Sequence, residues 1–70
     1  MDKKVFDVVN ETIASMIECI ENDDFDAVEC YTMQLEGMKT MFNALNKNPE
    51  NEKIMDVIEY GISTGYEYME

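Results

Sequence analysis

The sequence predicts an all-α fold: a small three-helix domain in which an antiparallel helical hairpin carries a third helix. Three observations predict it. Apolar residues recur at steps of three and four along three separate stretches. The breaks between those stretches, at Asn22-Asp23-Asp24 and at Asn48-Pro49, carry helix stop and start signals. Although acids are abundant, 46% of the residues are hydrophobic and cleanly periodic, which argues for a packed core over disorder.

The expected helices run over about 2–21, 25–46 and 49–68, in a single domain spanning 1–70. In the first, Val5, Val9, Ile13, Met16 and Ile20 form one stripe, widened by Phe6 and Ile17. Asp7, Asn10, Glu11, Ser15 and Glu18 fall on the opposite side. The short polar residues Asn22-Asp23-Asp24 then compete for the backbone and form a turn. A turn this short folds the second helix back against the first. Asp24 or Asp26 is the expected N-cap, and Asp26 with Glu29 has the spacing of a capping box.

The central helix is the organising element. Val28, Tyr31, Leu35, Met38, Phe42 and Leu45 form its main stripe, and Ala27, Cys30, Gly37, Met41 and Ala44 form a second set. A helix apolar on more than one side needs cover on more than one side, so both neighbours are expected to pack on it. Gly37 costs ~1 kcal/mol relative to alanine in a helix and is expected to mark a close approach. Lys47 suits the negative end of the helix dipole. Asn48 caps the third helix, Pro49 takes its first position, and Glu50 and Glu52 follow in the first turn. Ile54, Val57, Ile58, Ile62 and Met69 make its stripe, with Gly61 and Gly65 along it, suited to a close helix crossing or to fraying.

At this size a core buries only about 60% of the surface the unfolded chain exposes, and self-association often supplies the missing stability. A homodimer is therefore expected. Met1-Asp2-Lys3-Lys4 leads into an amphipathic segment with no secretory leader, and apolar runs are too short to span a membrane. A reducing, cytoplasmic setting follows, with Cys19 and Cys30 as small core residues.

Charge carries the functional argument. Sixteen acids face five lysines, with no arginine or histidine, for a net charge of −11. Such a chain repels phosphate backbones and anionic membranes, so neither nucleic acid nor membrane is an expected partner. Without histidine it lacks the commonest general base and the commonest transition-metal ligand. No catalytic or cofactor motif occurs, and the expectation is a protein that is not an enzyme and needs no cofactor. Asn22, Asp24 and Asp26 have the first alternating positions of a calcium loop. However, Ala27 replaces its glycine and Met33 its bidentate glutamate, so no metal site is expected.

The acids are not evenly spread. From Val5 through Met38 there are nine acids and no lysine. Six of them, Glu18, Glu21, Asp23, Asp24, Asp26 and Glu29, crowd around the hairpin's closed end, with Asp7 and Glu11 earlier on the first helix. Acids three or four apart on a helix face lie roughly 5–6 Å from one another. That array resembles a run of backbone phosphates and could occupy a basic groove built for nucleic acid. These eight residues are the expected partner-binding set. In size and charge the chain is similar in character to phage-encoded anti-defence inhibitors, anti-CRISPR proteins among them. The resemblance implies a non-enzymatic inhibitor acting in a host cytoplasm on a protein with a basic, nucleic-acid-binding surface. The alternative is an antitoxin, immunity protein or small dimeric assembly adaptor, binding through an apolar surface with Tyr60, Tyr66 and Tyr68 as anchors and Met33 as an exposed contact.

Overall fold

The computed structural model describes residues 3–45 and 52–70. Three helices follow in order, α1 Lys3–Glu21, α2 Phe25–Leu45 and α3 Glu52–Met69, in a bundle of 36 × 20 × 14 Å. The all-α, three-helix expectation is what is observed. The expected ends at Asp2, Asn46 and Lys47, and the Asn48-Pro49-Glu50 start signal, lie outside the described residues.

The α1–α2 corner is built from three consecutive aspartate and asparagine residues. Asp23 stands in the left-handed region at φ 56°, which asparagine and aspartate tolerate best after glycine. Its N–H donates to the Ile20 carbonyl at 3.0 Å, and the next N–H, of Asp24, reaches back to Cys19 at 2.9 Å. This paired return is a Schellman closure, and it satisfies carbonyls that the end of α1 would otherwise leave open. Asp24 then caps α2: its Oδ1 accepts from the Ala27 N–H at 3.3 Å, and its carbonyl accepts from Val28 at 3.1 Å. Asp24 is thus the N-cap. With Phe25 already helical, Asp26 falls inside the first turn, two residues past the cap position.

Val9, Ile13 and Met16 of α1, Val28 and Leu35 of α2, and Ile54 and Ile58 of α3 form the buried core. The predicted stripes of α1 and α3 supply their share of it, with Val5, Phe6, Ile17, Ile20, Val57, Ile62 and Met69 packed around it. α2 differs from expectation. Thr32 is 1% exposed and lies inside the stripe, whereas Cys30, Gly37, Met41 and Ala44 of the second apolar set are exposed. The reason is geometric: in a three-helix bundle the two neighbours of each helix lie close together in direction. One broad stripe therefore serves both. Cys30 is not a core residue, and only Cys19 is half-buried; both thiols are free.

The glycines divide the same way. A Cβ at Gly37 would meet nothing within 4 Å, so no close approach occurs there. Gly61 and Gly65 are buried, and a Cβ on Gly61 would crowd Ile13 and Leu35 at 2.8 Å. On Gly65 it would collide with the Thr32 hydroxyl. These two glycines bring α3 close enough to touch both other helices, and the close-crossing role is the one they play.

Candidate functional site: an acidic end

Because α3 runs antiparallel to α2, its C-terminal turns lie beside the α1–α2 corner. Lys39 pairs with Glu59 at 3.5 Å, Thr32 meets Gly65, and the Tyr68 hydroxyl reaches Asp23. One end of the bundle therefore combines the corner, the start of α2 and the end of α3. It holds Glu18, Glu21, Asp23, Asp24, Asp26 and Glu29, all exposed, and adds Glu67 and Glu70, also exposed. The sequence reading did not include these last two. The signal for them was the topology: an up-down-up bundle brings its last helix turn back to its first corner.

The described lysines lie elsewhere. Lys3 and Lys4 begin α1, Lys53 stands at the start of α3, and Lys39 is in the second half of α2. From Lys4 to Glu18, or from Lys53 to Glu67, is about 20 Å along the helix axis. Screening at physiological ionic strength extends only ~8 Å, so these cations do not neutralise the acidic end. The backbone deepens the polarity. α1 and α3 both finish there, with no basic residue in either last turn, and their two C-termini, each roughly half a negative charge, outweigh the single N-terminus of α2.

The eight predicted residues do not share one flat face. Asp7, Glu11 and Glu18 follow one another down the side of α1 away from Val9, Ile13 and Met16, and the first two lead off toward the lysine-bearing end. Glu29 belongs to the flank of α2 that faces α3, together with the half-buried Glu36. Asp23 and Asp24 have structural duties at the corner. What is gathered is one end of the molecule, with Glu18, Glu21, Asp26 and Glu29 as its unencumbered carboxylates.

Two tyrosines fasten α3 to this end, and sequence reasoning did not find these bonds. Tyr66 donates to Glu36 and Tyr68 to Asp23; the Tyr68 ring also leans on Phe25 at 6.3 Å between centroids. Donation to Asp23, reinforced by partial burial and by the charges of Asp23 and Asp24, pushes the Tyr68 phenol up to about 12. The bond to Glu36, then burial, raises Tyr66 as well. Burial, followed by Asp24 and Glu18, raises the Cys19 thiol. Nearby carboxylate charge adds to the rise in each of these three groups.

Among the described residues, no group of three or more cysteine, aspartate or glutamate side chains is placed to hold a metal ion. No described helix is long and apolar enough to cross a membrane. Compared with family models, with curated proteins and with solved structures, the chain matches none.

Proposed function

We propose that this protein is a non-enzymatic inhibitor whose acidic end stands in for nucleic-acid phosphates and blocks a basic, nucleic-acid-binding surface of another protein. An anti-defence role of the anti-CRISPR type, in the cytoplasm of a host cell, is the setting in which such a device would work. The observation that carries the proposal is the separation of charge along the bundle. Eight exposed acids meet at one end, and the nearest described lysine, Lys39, stands about 15 Å along α2 from Glu29. Concentrating like charge in this way costs stability. A surface selected for solubility alone would intersperse its lysines.

The test is capture of partners from a host lysate on immobilised protein, eluted with a salt gradient. Contacts through exposed charges weaken steeply as salt rises. Glu18→Gln, Glu21→Gln, Asp26→Asn and Glu29→Gln together should abolish retention while leaving the corner intact. Retention that survives both salt and these substitutions would refute the proposal.

A second reading, an antitoxin, immunity protein or assembly adaptor, draws on a different observation. At the other end, Lys4, Val5, Val8, Val9, Met38 and Phe42 line an apolar groove of about 230 Å³, and Val8 is 51% exposed. That face is also where the homodimer expected from the chain's size would form, because it keeps the two acidic ends apart. Salt-insensitive binding lost on Val8→Asp marks this reading.

A further inference from the structure

Between α2 and α3, at the acidic end, Phe25, Glu29, Thr32, Met33, Tyr66 and Met69 line an open groove of about 340 Å³. Large apolar side chains stand in solvent along it: Met33 is 64% exposed, Tyr66 49% and Phe25 46%. In its floor, Thr32 spends its hydroxyl proton on the Val28 carbonyl at 2.8 Å. Two of the walls, Tyr66 and Phe25, are fastened before any partner arrives. Tyr66 is tied to Glu36, and Phe25 rests on Tyr68, which is itself tied to Asp23. Holding contact groups in place beforehand removes part of the ordering cost of binding.

The charge around the groove selects its occupant. Glu29 is part of the lining, Glu36 holds the Tyr66 wall, and Asp26 follows Phe25 on α2. A second copy of this chain would bring its own acidic end against them, and like charge would repel it. An uncharged apolar segment would leave the carboxylates without a counterpart. We infer that the groove seats one large apolar side chain of a basic segment, whose flanking lysines or arginines meet Glu29, Glu36 and Asp26. This inference rests on the proposed function and deepens it: the acidic end draws the partner in, and the groove then holds it. Met33 and Tyr66 are the anchors, in keeping with the enrichment of methionine and tyrosine at interface cores.

Two synthetic lysine-rich peptides of equal charge test it, one with a central phenylalanine and one with serine in that place. Each is titrated into the full chain at low ionic strength, with calorimetry for affinity and amide chemical shifts for location. The phenylalanine peptide should bind at least about tenfold more tightly, shifting Thr32, Met33, Tyr66 and Met69. Met33→Ser, at an exposed position, should erase that advantage and leave the serine peptide unchanged. Equal, salt-sensitive binding of both peptides overturns the groove while leaving the acidic end as a docking surface. Shifts centred on Val5, Val8 and Phe42 overturn it as well. If neither peptide binds, the acidic-end reading itself fails and the groove falls with it.

Discussion

Thr32 of α2 and Gly65 of α3 share one space: the threonine hydroxyl fills the place where a side chain at position 65 would begin. The hydroxyl is itself committed, donating to the Val28 carbonyl at 2.8 Å with the Met16 sulfur 3.6 Å away. This contact lets α3 lie close enough to bring its tyrosines to the acidic end.

Gly65→Ala should therefore be harmful although alanine favours helix. Overpacking costs about 1–3 kcal/mol against a gain of ~1 kcal/mol in helix propensity, for a net loss of up to about 2 kcal/mol. At roughly 0.05–0.15 kcal/mol per residue, a chain this short feels such a loss strongly. Adding Thr32→Ala should recover part of it, as a coupling of about 0.5–3 kcal/mol in a double-mutant cycle by urea unfolding. Gly37→Ala, which meets open space, should instead stabilise by about 1 kcal/mol. Equal effects at positions 37 and 65 would contradict the packing described.

The corner makes a separate prediction. Asp24 closes α1 through its N–H and opens α2 through its side chain. Asp24→Ala should cost about 1 kcal/mol, whereas Asp26→Ala, inside the first turn, should cost less than the loss of a cap. Thermal unfolding of the two variants ranks them directly. Capping by Asp26 would reverse the order.

The fold was largely legible because two polar breaks and three apolar stripes speak locally. In α1 the stripe from Val5 to Ile20 is the one that packs. In α2, hydropathy misled: Cys30 and Met41 read as a second apolar face, yet both neighbours pack on the stripe that includes Thr32. A polar residue enters a core when its hydroxyl has a backbone partner four residues earlier, and composition cannot show that. Of the site, clustering of Glu18 to Glu29 was legible from the turn alone. The contributions of Glu67, Glu70, Tyr66 and Tyr68 were not, because they depend on how α3 is laid down.

The tyrosine fastenings make the fold sensitive to alkali. Tyr68, pushed up to about 12 by Asp23, and Tyr66, raised by Glu36, lose their protons later in the folded chain than at the ordinary tyrosine value of about 10. Stability linked to a raised pKa is fully present below the unfolded value and lost as pH climbs through the folded one. The loss should therefore run from about pH 10 to 12. Absorbance titration of phenolate should show a late phase that shrinks in Tyr68→Phe, the part due to Tyr66 remaining. That variant should melt below the parent at neutral pH, and the difference should vanish toward pH 12. A late phase of unchanged amplitude in Tyr68→Phe would exclude the bond to Asp23.

If the acids at this end serve a partner, the fold should gain by losing them. Glu18 and Glu21 occupy the last turn of α1, where cations are favoured. Glu18→Lys with Glu21→Lys should raise stability at low ionic strength, by about 0.3–1 kcal/mol for each, and added salt should shrink the gain. Loss of stability in this variant would mean that the two carboxylates hold the structure together.

The most direct measurement of the central claim is the affinity of this protein for its captured partner across ionic strength, with and without duplex DNA present. The account predicts that affinity falls steeply as salt rises and that DNA and this protein exclude one another on the partner. Affinity that stays level with salt, or a partner that holds both at once, would contradict it.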